Sequence, residues 1–338
     1  MPPVVGRDYP SSYGELLAWF PDDDACRDYL DWLRWREGWR CPACGSRRGW
    51  LLANGRRECA ECGRQTSVTA GTIFHHARTP LTVWFQAAWQ MTSQKHGVSA
   101  LGLQRALGLG SYQTAWAMLH RYRTAMVRPG RERLRGLVEV DETYVGGLEE
   151  GVAGRETETK SIVAIAVEIK QPKGFGRIRM QHAVDVTRES LIPFVTGAVE
   201  PGATVHTDGW PAYLTVPDHG YEHKRTVMRR QSDAAHVVMP GVHRVASLLK
   251  RWLLGTHQGS VSSEHLDAYL NEFAFRFNRR GSRRRGLLFH RLLEQAVVTD
   301  PITYRSLIVS PSPTGRRPAP ALRSPVSPAI ERPWRQAA

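Results

Sequence analysis

Two Cys-x2-Cys pairs, Cys41–Cys44 and Cys59–Cys62, constrain the fold of this chain more than any other feature. Each pair sits on a short knuckle, CPACG or CAECG, where glycine permits the turn that aims two sulfurs at one point. Fourteen residues separate the pairs, one short of the usual window of roughly 15–20. Four thiolates in tetrahedral array suit Zn2+, and a site closed by four cysteines is structural rather than catalytic. Two redox dithiols are the rival reading, but neither pair has the strand–helix–strand context it needs. Residues 41–78 are therefore expected to form a zinc-binding hairpin unit with Cys41, Cys44, Cys59 and Cys62 as ligands. Cys26 reads as a small buried apolar residue. Five cysteines in 338 residues are too few for a disulfide scaffold.

Charge indicates the kind of partner. Lys+Arg total 46 against 32 Asp+Glu, a formal net charge of +14, which predicts a polyanion, nucleic acid before membrane. No apolar run approaches the ~18 residues of a membrane span, and the start lacks a basic then apolar leader. A cytoplasmic, nucleoid-associated place is expected. The hairpin carries Arg47, Arg48, Arg56, Arg57 and Arg64, which fit either a nucleic-acid contact or a solvated basic face.

Around the hairpin the pattern changes several times. Residues 1–40 read as an aromatic-rich helical segment (Trp19, Phe20, Trp32, Trp35, Trp39). Residues 79–130 read as helices, with Leu81, Trp84, Phe85 and Ala88 on one stripe. Ser99 and Ser111 sit at N-cap positions with Gly108 and Gly110 between them. Two short helices, a tight turn and a longer helix fit a helix-turn-helix, in which Gln113 and Thr114 would meet base edges and Arg121 and Arg123 phosphates. Three packed helices with no DNA role fit equally well.

From 131 to 305 an α/β unit is expected. Leu137–Val145 reads as a strand, and Ser161–Glu168 is a nearly continuous apolar run, the mark of a strand covered on both faces. Arg177–Val186 reads as a third strand, Glu189–Val199 as a helix, then a short strand runs to Asp208 and helices cover 241–255 and 262–279. Residues 306–338 are rich in Pro, Ser and Arg and read as a disordered basic tail.

An acidic strand in a basic chain is the informative anomaly. LVEVDETYVGG puts Glu139 and Asp141 on one face and Val138, Val140 and Tyr144 on the other. Asp208 ends a second strand, so adjacent strands would bring Asp141 and Asp208 together. Two close carboxylates repel unless a divalent cation lies between them, and such a pair is what two-metal phosphoryl transfer needs. Spacing alone does not lift this above the plainer reading in which each aspartate caps a turn, since Asp208-Gly209 is itself a turn signature. A third ligand is sought in PGVHRVASLLKRWLLGTHQG, where His243, Ser247 and Lys250 are expected opposite Val245, Leu248, Leu249 and Trp252 on a helix opened by Pro240-Gly241.

At these strings the chain resembles bacterial insertion-sequence transposases of the DDE superfamily, in particular the zinc-ribbon-bearing insertion sequence 1595 family. The matching strings are CPACGSRRGWLLANGRRECAECGRQTSVTAGTIFH, VEVDETYVGG, HTDGWPAY, LLKRWLLGTHQG and YLNEFAFRFNRR, in the family's order from about 41 to 280. The resemblance implies an α/β ribonuclease H-like catalytic domain, a mixed sheet with flanking helices, behind a zinc ribbon and a helical DNA-binding segment. It implies Asp141 and Asp208 as metal-binding carboxylates, with His243 where the family's usual glutamate stands. Mg2+ or Mn2+ is the implied catalytic ion; a neutral imidazole weakens the second ion and suits Mn2+. Lys250 matches a position that contacts terminal DNA phosphate.

Arginines extend the expected DNA surface. Asn271–Arg291 holds seven arginines against one acid, with Phe273, Phe275 and Phe277 interleaved as core. Lys250, Arg251, Arg276, Arg279 and Arg280 are the expected backbone contacts. The expected activity is transposition: binding of terminal inverted repeats, strand cleavage and strand transfer into target DNA by a homo-oligomer assembled on double-stranded DNA. The alternative is a zinc-ribbon DNA-binding protein whose transposase domain is inactive, domesticated or decayed, which the missing third carboxylate favours.

Overall fold

A computed structural model describes residues 3–146, 160–227, 235–259 and 261–308. All but the first three residues of the expected basic tail lie outside them. The chain divides into two compact units, Met1–Gly130 with Ser282–Ala338, and Arg131–Gly281.

The first unit opens with α1 (Tyr13–Trp19) and α2 (Asp23–Arg34), capped by the Ser12 and Asp22 side chains, which accept from Glu15 N and Ala25 N. A three-stranded antiparallel sheet follows: β1 (Gly49–Leu51), β2 (Arg56–Cys59) and β3 (Gln65–Ser67). Three helices come next, α3 (Leu81–Ser93), α4 (Ala100–Leu107) and α5 (Tyr112–Ala125). Ser99 and Ser111 cap α4 and α5 as expected, accepting from Gly102 N at 3.0 Å and Thr114 N at 3.1 Å. Gly108, at φ +61°, ends α4 in the left-handed conformation that a side chain would resist. Leu81, Trp84, Phe85 and Ala88 are all buried.

The chain rejoins this unit through α10 (Arg285–Ala296) and α11 (Tyr304–Ile308). The sequence reading ran the second domain on to 305, whereas α10 packs on α2, α3 and α5. The reason is aromatic packing: Phe289 is fully buried and meets Phe85 at 5.7 Å between centroids and Trp89 at the same distance. A polar relay adds to it. The Tyr29 hydroxyl donates to the Asp8 carbonyl at 2.7 Å and meets His290 Nδ1 at 2.7 Å. Arg36 Nη2 lies 3.2 Å from His290 Nε2. His290 Nε2 also lies 3.4 Å from Glu294 Oε1, so the ring joins Tyr29, Arg36 and Glu294 in one buried polar cluster.

The second unit is a five-stranded sheet in the order β6-β5-β4-β7-β8. Its strands are β4 (Leu137–Val145), β5 (Ser161–Ile169), β6 (Phe175–Ala183), β7 (Thr204–Thr207) and β8 (Glu222–Arg225). β4, β5 and β6 run antiparallel, while β4, β7 and β8 run parallel. Helices α6 (Arg188–Ala198), α7 (Ala235–Val238), α8 (Pro240–His257) and α9 (Leu266–Phe277) complete it. This is the mixed, helix-flanked sheet of a ribonuclease H-like domain.

Alternation sorts the sheet into two faces. Val138, Val140, Ala164, Ala166 and Val205 pack with α6 on one face. Val163, Ile165, Val167, Ile178 and Met180 pack with α8 and α9 on the other. The β6 edge is closed by α9: Asp267 Oδ1 accepts from His182 N at 2.8 Å, and the Asn278 side chain accepts from Ile178 N (2.7 Å) and donates to Ile178 O (3.1 Å). These contacts satisfy the outer polar groups that an open edge would leave unpaired. β6 starts two residues earlier than expected, and β8 was not expected at all. Its string EHKR carries no alternation and becomes a strand only by pairing with β7.

Candidate functional site

In the zinc ribbon the two knuckles fold alike. Gly45 N donates to Cys41 O and Gly63 N to Cys59 O, both at 2.9 Å, with the glycines at φ +75° and +65°. Cys41 N and Cys59 N donate in turn to Ser46 O and Arg64 O. The four sulfurs converge: Cys41 and Cys62 are 3.6 Å apart, Cys44 and Cys59 3.5 Å apart, and all lie within 4.8 Å of one another. A zinc tetrahedron with ~2.3 Å arms has edges of about 3.8 Å, so the set fits Zn2+ closely. The Cys44 amide holds the Cys41 thiol down to about 6. The Ser46 amide draws Cys44 down too, but the Cys59 sulfur, burial and the other sulfurs push it up to about 12. Four thiolates at this spacing need a cation to coexist. Trp39 packs on Cys41 and Cys59 beneath the knuckles.

Not every basic residue of the ribbon faces outward for a partner. Arg57 forks onto Asp31 at 2.9 and 2.8 Å and lies over the Trp35 ring, and Arg48 pairs with Glu61 at 3.0 Å. Arg47, Arg56 and Arg64 are exposed. In the helical segment Gln113 is exposed, while the Thr114 hydroxyl lies 2.9 Å from Ser111 Oγ in the cap. Arg123 is 1 % exposed, so the expectation that it meets phosphate fails: its position in α5 turns into the helix core. Arg121 lies over the Trp84 ring.

In the second unit β4 and β7 are parallel neighbours with a defined register. Leu137 pairs with Thr204, Val138 with Val205 and Glu139 with His206. Continued two steps beyond the last paired residues, this register would set Asp141 level with Asp208, just past the end of β7. Glu139, Asp141 and Thr143 pair with Val167, Ile165 and Val163, so Asp141 faces α8 and α9. α8 begins on that face and carries His243 in its first turn. Asp141, Asp208 and His243 are all half-buried. They do not form a ready-made cage. Among the described residues, the four cysteines are the only group of three or more Cys, His, Asp or Glu side chains close enough to share an ion.

Each aspartate also makes the local contact of the plainer reading. Asp208 Oδ1 accepts from Trp210 N at 2.9 Å, and Asp141 Oδ1 from Glu142 N at 2.8 Å. The turn after Asp208 is held from three directions. Gly209 takes φ +89°, its carbonyl accepts from Arg225 Nη2 of β8 at 3.1 Å, and Trp210 Nε1 donates to Val186 O at 2.9 Å.

The sequence placed Glu139 on the Asp141 face but did not anticipate its contacts, nor the pairing of Glu142 with Tyr213. Glu139 is 3 % exposed, and its Oε2 accepts from Gly241 N at 2.7 Å and Val242 N at 3.0 Å. Burial raises its pKa above the usual carboxylate value, against those two amides and Lys224. Tyr213 is fully buried and donates to Glu142 Oε1. Burial first, then the charge and hydrogen bond of Glu142 and the charges of Asp141 and Asp208, push its phenol well up. HTDGWPAY held the only available signal, an aromatic five residues past the aspartate.

The basic positions divide. Lys250 and Arg251 are exposed on α8. Lost solvation and the like charge of Lys160 hold Lys250 below the ordinary lysine value, a setting that favours an anion. Arg276 is half-buried. Arg279 folds over Phe275 and donates to its carbonyl at 3.1 Å. Arg280 stacks on Phe277 and donates to Gly176 O at 3.2 Å and Phe277 O at 2.9 Å. These last two arginines thus secure the end of α9, and Arg280 ties it to β6.

A ribonuclease H-like sheet with an acidic edge, together with a four-cysteine ribbon, defines the class of insertion-sequence transposases. Residues 133–278 match the ISXO2-like transposase domain, and residues 21–65 match the transposase zinc-ribbon domain. The chain thus carries, in order, matches to the zinc-ribbon and catalytic domains of insertion sequence 1595 type transposases. It is 27% identical over 279 residues, 76% of this chain and 91% of the relative, to an uncharacterized protein in transposable element ISH50 of Halobacterium salinarum. No helix of the described residues is long and apolar enough to cross a membrane.

Proposed function

We propose that this transposase cleaves the ends of its own element and joins them to target DNA, with Asp141, Asp208 and His243 as the metal-holding catalytic set. What supports this is the parallel pairing of β4, which bears Asp141, with β7, which ends one residue before Asp208, and the start of α8, with His243, on the face where Asp141 lies. Two carboxylates and an imidazole suit Mg2+ or Mn2+, the imidazole favouring Mn2+. Such ions, when bound, would lower the pKa of the attacking hydroxyl and steady the leaving oxygen. The residues' own task is to hold carboxylate oxygens at one edge and keep the turn after Asp208 rigid through Arg225 and Trp210. Water attacks the phosphodiester at the element's end and frees a 3′-hydroxyl. That hydroxyl attacks a target phosphodiester in line, displacing a new 3′-oxygen, with no covalent protein intermediate.

The zinc ribbon and the α3–α5 segment bind the terminal inverted repeats, Gln113 and Thr114 reading bases from the first turn of α5. Lys250, Arg251, Arg276, Arg279 and Arg280 contact backbone, the last two through the parts of their guanidiniums not spent on α9. Two ends must be paired, so the working form is a homo-oligomer on DNA. The domain division of the sequence reading, with 41–78 as ribbon and 131–305 as catalytic, is carried into this proposal with α10 moved to the first unit.

A second reading, a DNA-binding protein with an inactive catalytic domain, is favoured by His243 standing where a carboxylate is usual. Strand transfer with Mg2+ or Mn2+ on duplexes carrying the element's ends separates the two. Asp141→Asn and Asp208→Asn are expected to lose at least ~10³-fold in rate with end binding intact. Full activity in either overturns the catalytic assignment; full activity in His243→Ala overturns only the third ligand. No cleavage by the wild-type chain with either ion supports the second reading.

A further inference from the structure

The string Glu139-Val140-Asp141-Glu142 offers three carboxylates where the proposed site uses one. The structure commits the other two to partners within the chain, on opposite faces of β4. Glu139, two residues before Asp141 and on the same face, points into the start of α8. Its Oε2 takes the Gly241 and Val242 amides, two of the four N–H groups that a helix start leaves without an internal partner. The approach needs glycine: a Cβ on Gly241 would come within 2.8 Å of that oxygen and 2.7 Å of Ile169 Cδ1. His243 lies one residue past the amides so held. Glu142, next to Asp141, turns to the α6 face and accepts from Tyr213. Tyr213 belongs to the short turn of helix Pro211–Tyr213, which follows Asp208-Gly209-Trp210 directly.

We infer that Glu139 and the Glu142–Tyr213 pair are positioning residues that fasten the His243 helix and the Asp208 turn to the strand bearing Asp141. The inference rests on the metal-site reading above. Asp141 sits between two fasteners, one per face, so a single strand sets the separations of all three ligand-bearing elements. This explains how ligands 67 and 102 residues from Asp141 in the chain are brought to one edge when no ready-made cage of side chains stands there. It also assigns a task to each acid of the string: outer carboxylates fix backbone, the middle one faces the cation. Neither outer carboxylate touches a reacting atom. Each acts through the segment it holds, in the manner of groups behind a metal's direct ligands.

The test uses the full-length, zinc-loaded chain. Mn2+ binding in the absence of DNA is read by electron paramagnetic resonance, and the Mn2+ half-saturation of end cleavage is read separately from the plateau rate. Glu139→Ala and Tyr213→Phe are expected to weaken Mn2+ binding about 10–100-fold and raise the half-saturation alike, with zinc content unchanged. Glu139→Gln retains an oxygen that accepts from Gly241 and Val242 and is expected to recover most of the loss. A role in stability alone would shift the melting point and leave Mn2+ affinity where it was, and that result overturns the inference. If Glu139→Ala does not fold, Tyr213→Phe decides, since it removes one oxygen and keeps the buried ring. Asp141→Asn runs in parallel. Wild-type Mn2+ binding in that variant sinks the metal-site reading and this inference together; loss there with normal binding in Glu139→Ala and Tyr213→Phe sinks this inference alone.

Discussion

Glu294 sits at the end of the relay that fastens α10. Burial works against its charge, yet His290 and the guanidiniums of Arg36 and Arg291 hold its pKa down to about 2. Arg291 Nη1 lies 2.7 Å away and Arg36 also pairs with it. The folded value lies below the unfolded one, so the stabilisation is fully present above about pH 4.5 and is lost as pH falls from there towards 2. Glu294→Gln should cost roughly 1–3 kcal/mol at neutral pH and flatten this acid limb. Urea unfolding across the pH range checks it; an unchanged acid limb refutes it. At this scale the sequence was partly legible. Cysteines, caps and aspartates could be named because their chemistry is local. Glu139 could be placed on the Asp141 face but not given its role, because a buried helix-capping acid and a solvent-facing one read alike until the helix it caps is known. Arg123 failed for the same reason, its burial depending on what lies against α5.

The zinc ribbon was legible because its constraints repeat: two knuckles, each with a glycine at positive φ and two sulfurs. Trp39 packs on Cys41 and Cys59, and Gly49 lies so close that a Cβ there would meet its ring at 2.5 Å. A zinc ion held by the four cysteines would tie the knuckles to this hydrophobic floor. One zinc per chain is expected by elemental analysis. Chelation or Cys59→Ser should shift tryptophan emission to the red and abolish specific end binding, while Mn2+ affinity of the second unit stays within about twofold. Retained end binding after complete zinc removal would refute the assignment. β4 and β5 were readable from their alternation and apolar run. β8 was not, since an all-polar edge strand is created by its neighbour rather than by its own pattern.

Over the whole molecule the excess of positive charge predicts strong salt dependence. With 6–10 phosphate contacts, DNA affinity should fall by about 10³–10⁵ between about 50 and 200 mM salt. Lys250→Ala should lower the slope of log K against log salt by about one without changing which ends are preferred. Fluorescence anisotropy over a salt series measures both, and a slope indifferent to Lys250 removes it from the DNA surface. Arg57 and Arg123 add to net charge but are spent inside the fold, so net charge overstates the surface offered to DNA. The return of α10 to the first unit also belongs to this scale. Its helical pattern is local, but the aromatic partners that claim it lie some two hundred residues earlier.

The amino-acid sequence by itself determined the zinc ligands, the helix caps, the central strands, the basic character and the family, because each rests on short-range pattern or on net composition. Only the tertiary structure decided that Glu139 accepts from the start of α8 and Glu142 from Tyr213. It also decided which arginines stay outside and where the last helices return. Those outcomes depend on register and burial between segments far apart in the chain, and no local string of residues carries that information.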